Sequence, residues 1–172
     1  GWELYVPTEF MLGVYDEIAA AGDQYGLVHA GYHALNSLRI EKAYRHWGHD
    51  ITDEDTPLEA GLEFAVRFDK KGGFIGRDAL LRQQEQGLRK RLLQFKLHSP
   101  QPLLYHNEPI WQGDTIVGSI RSGMYGHTLG AAVGLGYVES PPGQVPGEIG
   151  ADEFEIEIAG TRYAATASLR PM

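Results

Sequence analysis

Residues 108–138, EPIWQGDTIVGSIRSGMYGHTLGAAVGLGYV, carry the clearest structural pattern in this chain. The run holds three short apolar segments, and glycines separate them. Similar segments precede and follow it, which makes six strand candidates: 92–97, 108–111, 115–121, 131–138, 153–158 and 162–168. Glycines and prolines divide these candidates, as at 141–143 (PPG) and 146–147 (PG). Short strands at this spacing predict a small antiparallel barrel or sandwich, and we expect a Greek-key-like β-barrel.

Helical spacing of apolar side chains dominates the first half of the chain. Three helices are predicted, at 9–21, 31–42 and 77–86, and alternating patterns predict two strands, at 1–7 and 62–68. Gly87 should end the third helix. The change of pattern after Gly87 predicts an α+β part at residues 1–87 and an all-β domain at 88–172. Because a strand pattern is already present at residue 1, we expect the chain to start inside a domain.

The composition argues against several classes of function. The 172 residues carry a formal charge of −8, whereas a nucleic-acid surface needs clustered Lys and Arg. The sequence contains no cysteine, which excludes disulfides, iron–sulfur clusters and thiolate catalysis. No apolar run approaches the roughly 18 residues of a membrane-spanning helix, and the N-terminus shows no signal segment. We therefore expect a cytoplasmic protein that binds neither nucleic acid nor membrane.

Residue patterns by themselves do not identify a reaction. The histidine pairs 29/33 and 46/49 lack the third ligand of known zinc signatures, so no metal site is predicted. The glycine-rich run 126–136 has no phosphate-loop spacing and is better explained as a turn that leads into a tightly packed strand. The acidic cluster at 50–59 lacks the order of a calcium loop. No nucleophile elbow is present, and no catalytic residue is assigned.

Several segments, in order along the chain, resemble the aminomethyltransferase (glycine cleavage T-protein) superfamily. They are residues 1–7 (GWELYVP), 30–42, 48–52 (GHDIT), 56–62 (TPLEAGL), 74–80 (FIGRDAL), 108–110 (EPI) and 134–138 (GLGYV). The motif RIEKAYRHW at 39–47 is more similar to sarcosine and dimethylglycine dehydrogenases than to the free T-protein. The free protein has Glu-Ala-Gly where this chain has Glu41-Lys42-Ala43. The resemblance implies the C-terminal, folate-binding part of such a dehydrogenase.

The resemblance to sarcosine and dimethylglycine dehydrogenases also implies particular ligands and partners. In these flavoenzymes an N-terminal FAD domain oxidises an N-methylated amine. The folate domain supplies tetrahydrofolate, which captures the released carbon as methylenetetrahydrofolate. The resemblance thus implies tetrahydrofolate as a cofactor, an FAD-binding domain of the same parent chain as a partner, and a mitochondrial matrix location in a eukaryote. Two alternatives stay open: a folate-binding module of the glycine cleavage aminomethyltransferase type, and a structural barrel without demethylation activity.

The resemblance also implies four folate contacts. Glu3 matches a family glutamate at the pterin edge, where a carboxylate can accept two parallel N–H bonds. Tyr5 would lie on the same face of the predicted strand. Arg91 matches a basic position that can meet the folate glutamate tail, and Tyr125 matches a position beside the cavity. Each has an ordinary alternative role: a solvent-facing glutamate, a solvated arginine, a packing aromatic.

Two departures from the family limit what this chain can do. A folate-holding arginine of the T-protein aligns with Leu35 here, so the folate contacts should differ in detail. The key aspartate of the family, which acts on the amine and folate nitrogens, lies upstream of residue 1. We therefore expect residues 1–172 alone not to transfer one-carbon units.

Overall fold

A computed structural model of the protein describes residues 2–139 and 154–172. They form two compact units, Gly1–Tyr32 and His33–Met172. The described residues contain three α-helices: α1 at Met11–Asp23, α2 at Tyr32–Glu41 and α3 at Arg77–Gln86. They also contain six strands: β1 at Lys90–Leu97, β2 at Pro109–Gln112, β3 at Thr115–Gly126, β4 at Ala131–Glu139, β5 at Phe154–Ile158 and β6 at Thr161–Ser168. None of these helices is long and apolar enough to cross a membrane.

The six described strands close into a barrel in the order β1-β4-β3-β2-β5-β6, with antiparallel neighbours throughout. β2, β3 and β4 form a meander, and β1 lies beside β4, which is the strand order of a Greek key. Alternate residues of β1, namely Leu93, Phe95 and Leu97, point into the barrel core. There Phe95 packs edge to face against Phe154, with ring centroids 5.6 Å apart. The predicted antiparallel barrel is confirmed.

The outer face of the barrel is also partly buried. Leu92 of β1 lies opposite Tyr137 of β4, and both belong to a second apolar cluster with Ala43 and Leu135. Ile51 packs against the same cluster. β4 is therefore buried on both faces, which explains why its sequence is apolar nearly throughout instead of alternating.

Close backbone packing explains the glycines of β3 and β4. A Cβ at Gly118 would lie 1.8 Å from the carbonyl oxygen of Tyr137, so no side chain fits between these strands. The glycine-rich run 126–136 forms a turn at 127–130 and then enters β4. This is the turn and packed strand that the sequence predicted.

The predicted helices are confirmed with small shifts of their ends. α3 has the predicted bounds and ends at Gly87, whose φ of 83° favours a residue without a Cβ. α1 begins after a 3₁₀ turn at Thr8–Phe10 and ends two residues later than predicted. α2 begins and ends one residue inside its predicted range.

Two predicted strands are wrong. Residues 62–68 contain one 3₁₀ turn, Glu63–Ala65, and residues 2–7 have no regular secondary structure. Neither segment pairs with a strand in the described part of the chain, and an extended segment without a neighbour gains no ladder of hydrogen bonds. Gly1 and Glu153, where two strands were predicted to begin, lie outside the described residues. So do the predicted turns at 141–143 and 146–147.

Candidate functional site

Glu3 and Tyr5 lie in the irregular segment that precedes α1. The Tyr5 hydroxyl donates a hydrogen bond of 2.9 Å to Glu3 Oε2, so the two side chains lie on the same side of the chain. Trp2 and Tyr5 are 97% and 91% exposed, and Glu3 is exposed as well. Within the described residues Glu3 Oε1 has no hydrogen-bond donor. This pair therefore offers an exposed carboxylate, one oxygen of which is held by the exposed Tyr5.

Arg91, near the start of β1, is already engaged by the protein. Its Nη1 donates 2.6 Å to the carbonyl oxygen of Leu58 and also donates to Glu63 Oε1. Its Nε is buried and has no acceptor within the described residues. The side chain is only 17% exposed. Arg91 thus anchors the segment around residues 58–63 to the start of the barrel, a role that the sequence did not predict.

Tyr125, near the end of β3, is half-buried and makes packing contacts. Its ring meets the ring of His127 edge to face, with centroids 5.2 Å apart. Tyr125 lies opposite Ala132 in β4, whereas Arg91 lies opposite Val138. The two partner positions are six residues apart in β4, a distance of about 20 Å along the strand. The structure therefore does not bring Arg91 and Tyr125 together.

A buried ion pair that sequence reasoning missed joins α2, the following loop and β3. Arg39 Nη1 donates 2.6 Å to Asp50 Oδ2, and the Asp50 side chain is fully buried. The other carboxylate oxygen accepts 2.5 Å from the Ser122 hydroxyl, which itself accepts 3.1 Å from Arg39 Nη2. The His46 backbone N–H donates 2.7 Å to Asp50 Oδ2. Every charge in the network is paired, as a buried carboxylate requires.

No local spacing rule predicts this network. Asp50 lies 11 residues from Arg39 and 72 residues from Ser122. The sequence offers one indirect signal: Asp50 stands directly before the apolar Ile51 in a short loop. A carboxylate beside a side chain that packs against the core must find hydrogen-bond donors if it is buried too.

The C-terminal end of α2 is tied to the barrel by buried polar groups. The Glu41 carboxylate accepts 2.7 Å from the Thr128 backbone N–H in the β3–β4 turn. Burial raises the pKa of Glu41, but the hydrogen bonds from Thr128 and the next residue outweigh it and hold the pKa below its ordinary value. Gln94 Nε2 donates 2.7 Å to the carbonyl oxygen of Ile40, and Gln94 Oε1 accepts 2.9 Å from the Met172 N–H.

A groove of about 500 Å³, which we term the α2 groove, lies beside this junction. Its apolar walls come chiefly from Leu35, Leu38, Tyr44, Leu129 and Met172, and its charged lining comes from Arg39, Glu41 and Lys42. Leu35, Leu38 and Tyr44 are each more than half exposed. The groove is thus an apolar concavity of the size of a small-ligand site.

A second groove, of about 650 Å³, lies between the segment at 55–57 and α3. Its lining is mainly apolar and includes Pro57, Val66, Phe74 and Leu80. Asp55, at its edge, is engaged by Lys90 at 2.5 Å. This groove carries no converging set of unpaired polar groups that would mark a reaction site.

Tyr137 has the most strongly altered titration among the described residues. Burial, followed by the nearby carboxylates of Asp55 and Glu59, raises the pKa of the Tyr137 hydroxyl well above its ordinary value. The ammonium of Lys90 lies over the Tyr137 ring, 4.8 Å from its centroid. Tyr137 therefore stays neutral and has a packing role beneath the Lys90–Asp55 pair.

The histidine pairs do not assemble a metal centre. The rings of His46 and His49 lie 5.0 Å apart, and His29 stacks on Tyr15. Among residues 2–139 and 154–172, no three His, Asp or Glu side chains are placed to hold a metal ion.

Comparison with known proteins places these features in a family. The family named "GCVT N-terminal domain" matches residues 1–70, and the family named "Glycine cleavage T-protein C-terminal barrel domain" matches residues 90–172. The solved structure of glycine cleavage system aminomethyltransferase T from Bartonella henselae resembles this fold with a TM-score of 0.66 and 26% identity. That likeness covers 77% of this chain and 36% of the aminomethyltransferase chain.

Three curated relatives match nearly the whole chain. The 4-methylaminobutanoate oxidase (formaldehyde-forming) of Paenarthrobacter nicotinovorans is 43% identical over 99% of the chain, and mouse mitochondrial sarcosine dehydrogenase is 40% identical over 99%. The mouse mitochondrial pyruvate dehydrogenase phosphatase regulatory subunit is 43% identical over 100%. The chain spans 20%, 19% and 21% of their respective lengths, about a fifth of each. With both T-protein families matched in order and the barrel closed as described, the chain belongs to the glycine cleavage T-protein (aminomethyltransferase) superfamily.

Proposed function

We propose that this chain is the tetrahydrofolate-binding, one-carbon-transfer portion of a flavin-dependent dehydrogenase that demethylates sarcosine or dimethylglycine. One observation carries the proposal. Nearly the whole chain is 40% identical to a sarcosine dehydrogenase and 37% identical to human dimethylglycine dehydrogenase, across both T-protein families. Tetrahydrofolate, when bound, would accept the carbon released from the amine as methylenetetrahydrofolate.

The Glu3–Tyr5 pair fits a pterin edge chemically. A carboxylate accepts two parallel N–H bonds from an aminopyrimidine-like edge, and such charge-assisted bonds are the strong class. Tyr5 engages one lone pair of Oε2, and a carboxylate has about four such sites, so acceptor capacity remains on both oxygens. The Tyr5 hydroxyl would hold the carboxylate in place while the exposed Tyr5 ring offers apolar surface to a planar ligand.

Arg91 and Tyr125 remain proposed folate contacts, although each already contacts other residues of the protein. Arg91 Nη1 already donates to Leu58 and Glu63, so a folate carboxylate would either replace Glu63 or use the remaining donors of the guanidinium. Tyr125 can contribute an aromatic surface without losing its backbone pairing in β3. Glu3 and Tyr5 are therefore the stronger half of the proposed set.

The domain organisation follows from the same proposal. Residues 1–87 would be the C-terminal part of the folate-binding domain and residues 88–172 the T-protein barrel. The FAD-binding domain and the family aspartate would be supplied by preceding parts of a longer polypeptide. The proposed location is cytoplasmic, or the mitochondrial matrix in a eukaryote, and the mammalian dehydrogenases are named as mitochondrial. The 172-residue chain alone would then transfer no one-carbon units.

Two relatives define the competing functions. The oxidase from P. nicotinovorans is named as formaldehyde-forming, which makes release of the carbon as formaldehyde one competing outcome. The phosphatase regulatory subunit is named for regulation and not for demethylation, which favours a structural or regulatory module as the alternative. The chain is about 40% identical to all three kinds of protein, so sequence identity does not distinguish their functions. Analysis of the reaction products has to distinguish them.

The deciding experiment measures the fate of the methyl carbon. The full-length polypeptide is supplied with sarcosine or dimethylglycine, with and without tetrahydrofolate, and both formaldehyde and methylenetetrahydrofolate are quantified. The proposal expects methylenetetrahydrofolate to replace formaldehyde when tetrahydrofolate is present. Formaldehyde release that is indifferent to tetrahydrofolate would contradict folate capture, and no amine oxidation at all would favour the regulatory alternative.

A further inference from the structure

Helix α3 is anchored much more weakly than α2, although both are ten residues long. None of the residues of α3 is buried, whereas α2 buries three of its residues. The Ser37 hydroxyl of α2 also donates 2.6 Å to the carbonyl oxygen of Tyr125 in the barrel. Within residues 2–139 and 154–172, one side-chain hydrogen bond joins α3 to another part of the chain. It runs from Arg77 Nε to the carbonyl oxygen of Phe68, 2.8 Å away, in the segment that leads into the helix.

Glycines in conformations that other residues rarely adopt stand at both ends of α3. Gly76 precedes the helix with a φ of 90°, and Gly87 follows it with a φ of 83° and a ψ of 162°. The conformation of Gly87 lies in a region that is essentially restricted to glycine. Because glycine changes φ and ψ at low cost, these two residues allow the chain to swing at each end of the helix.

The attached position of α3 leaves a buried polar atom unsatisfied. Gln83 Oε1 is buried and has no hydrogen-bond donor in the described part of the chain. Such an atom opposes burial, because it would accept a hydrogen bond from water if the helix moved away. A helix of ten residues is also too short to be stable in water by itself. We therefore expect α3 to lose its helical hydrogen bonds when it detaches.

We propose that α3 is a hinged cover of the second groove, and that it detaches as one unit while the barrel stays folded. Ala79 and Leu80 of α3 line this groove together with Pro57 and Val66. Detachment therefore removes one wall of an apolar groove of about 650 Å³ and exposes the rest of its lining to solvent. The device does not involve any of the four proposed folate contacts.

Amide hydrogen exchange of the full-length polypeptide, followed by mass spectrometry of peptides from each helix and strand, tests the cover. Because α2 has the same length as α3 and is tied to the barrel, it is the internal control. The amides of α3 should exchange at least about tenfold faster than those of α2, since parts of a fold with few buried residues open most readily.

Gly113→Ala distinguishes detachment of α3 from unfolding of the barrel. Gly113 lies in the β2–β3 turn with a φ of 59°, and a Cβ at Gly113 or at Gly87 would meet no atom within 4 Å, so both substitutions strain the backbone alone. Gly113→Ala should speed exchange in β2 and β3 but not in α3, because the barrel is folded whether α3 is attached or detached.

Two substitutions in the cover itself should shift its equilibrium in opposite directions. Gly87→Ala strains only the attached state and should speed exchange in α3 about five- to thirtyfold. Gln83→Met removes the unsatisfied oxygen and should slow exchange in α3. Exchange in α3 as slow as in α2, or accelerated by Gly113→Ala as much as in β2 and β3, would overturn the inference, because α3 would then open only with the barrel. Exchange in α3 that responds to neither Gly87→Ala nor Gln83→Met would overturn it too.

Discussion

Removing Asp50 should destabilise the protein by an amount that can be worked out from its contacts. The carboxylate is fully buried, and its partner Arg39 is only 12% exposed. Asp50→Asn removes the charge that compensates the guanidinium and places an N–H₂ group among the three donors of the network. Breaking a buried pair from one side typically costs about 3–5 kcal/mol, because one charge stays buried without a partner. For a chain of this length the midpoint of thermal unfolding should fall by about 10 °C.

A double-mutant cycle separates this effect from simple loss of packing. Arg39→Met should cost a similar amount, since it leaves the Asp50 charge with only neutral donors. The double variant should lose at least about 2 kcal/mol less than the sum of the single losses, because no buried charge is then left unpaired. Urea unfolding followed by circular dichroism gives the three free energies of unfolding.

The chain contains its own control for the cycle. Arg67 and Asp69 form an ion pair of 3.4 Å, but their side chains are 79% and 77% exposed. The cycle of Arg67→Met and Asp69→Asn should show a coupling below about 1 kcal/mol. Additive losses at Arg39 and Asp50, or a coupling no larger than that of the exposed pair, would refute the reasoning that burial makes the first pair important.

Three further predictions address the proposed site, the pH dependence and the strand packing. Glu3→Gln in the full-length polypeptide should lower tetrahydrofolate affinity at least about tenfold, about 1.4 kcal/mol. Flavin reduction by the amine should stay unchanged. Equal affinities of wild type and variant by calorimetry would make Glu3 an ordinary surface residue. The pKa of Glu41 is lower in the folded state than its ordinary value of 4.5, so its contribution to stability is present above that pH and is lost as pH falls through the folded value. Urea midpoints should therefore fall more steeply below pH 4.5 in wild type than in Glu41→Gln, and parallel profiles would contradict this assignment. Gly118→Ala should destabilise the barrel by about 1–3 kcal/mol or more, because its Cβ would overlap the Tyr137 carbonyl oxygen. The control Gly13→Ala should not destabilise the protein, because its Cβ would meet no atom within 4 Å. An equal loss of stability in both variants on thermal unfolding would contradict the packing argument.

The polar contacts of α2 suggest why the family-matching motif at 39–47 is more than a surface feature. Arg39 holds Asp50, Glu41 holds the β3–β4 turn, and Ala43 packs in the outer cluster of the barrel. Lys42, between Glu41 and Ala43, is exposed and lines the α2 groove together with Arg39 and Glu41. One short segment thus supplies three of the contacts that fix α2 and the loop after it to the barrel.

Local patterns in the sequence determined most of the secondary structure. The bounds of α3, its end at Gly87 and the six strands of the barrel follow from helical period, turn glycines and strand spacing, since each signal lies within a few residues of the feature it predicts. The family resemblance could also be recognised from the sequence, because each of its motifs is a continuous segment. The alternation of apolar and polar residues at 62–68 predicted a strand that does not form. Such alternation shows which side chains would share a face, but it does not show whether a neighbouring strand is there to pair with.

Only the tertiary structure decided how the charged residues are used. Arg91 meets Glu63 across 28 residues of chain, and Asp50 meets Ser122 across 72, distances that no local rule covers. Closure of the barrel brings β1, β3 and the loop after α2 together, and burial then forces each charge to find a partner. Charge pairing is long-range and set by packing, whereas helices, turns and strands are set mainly by neighbours in sequence.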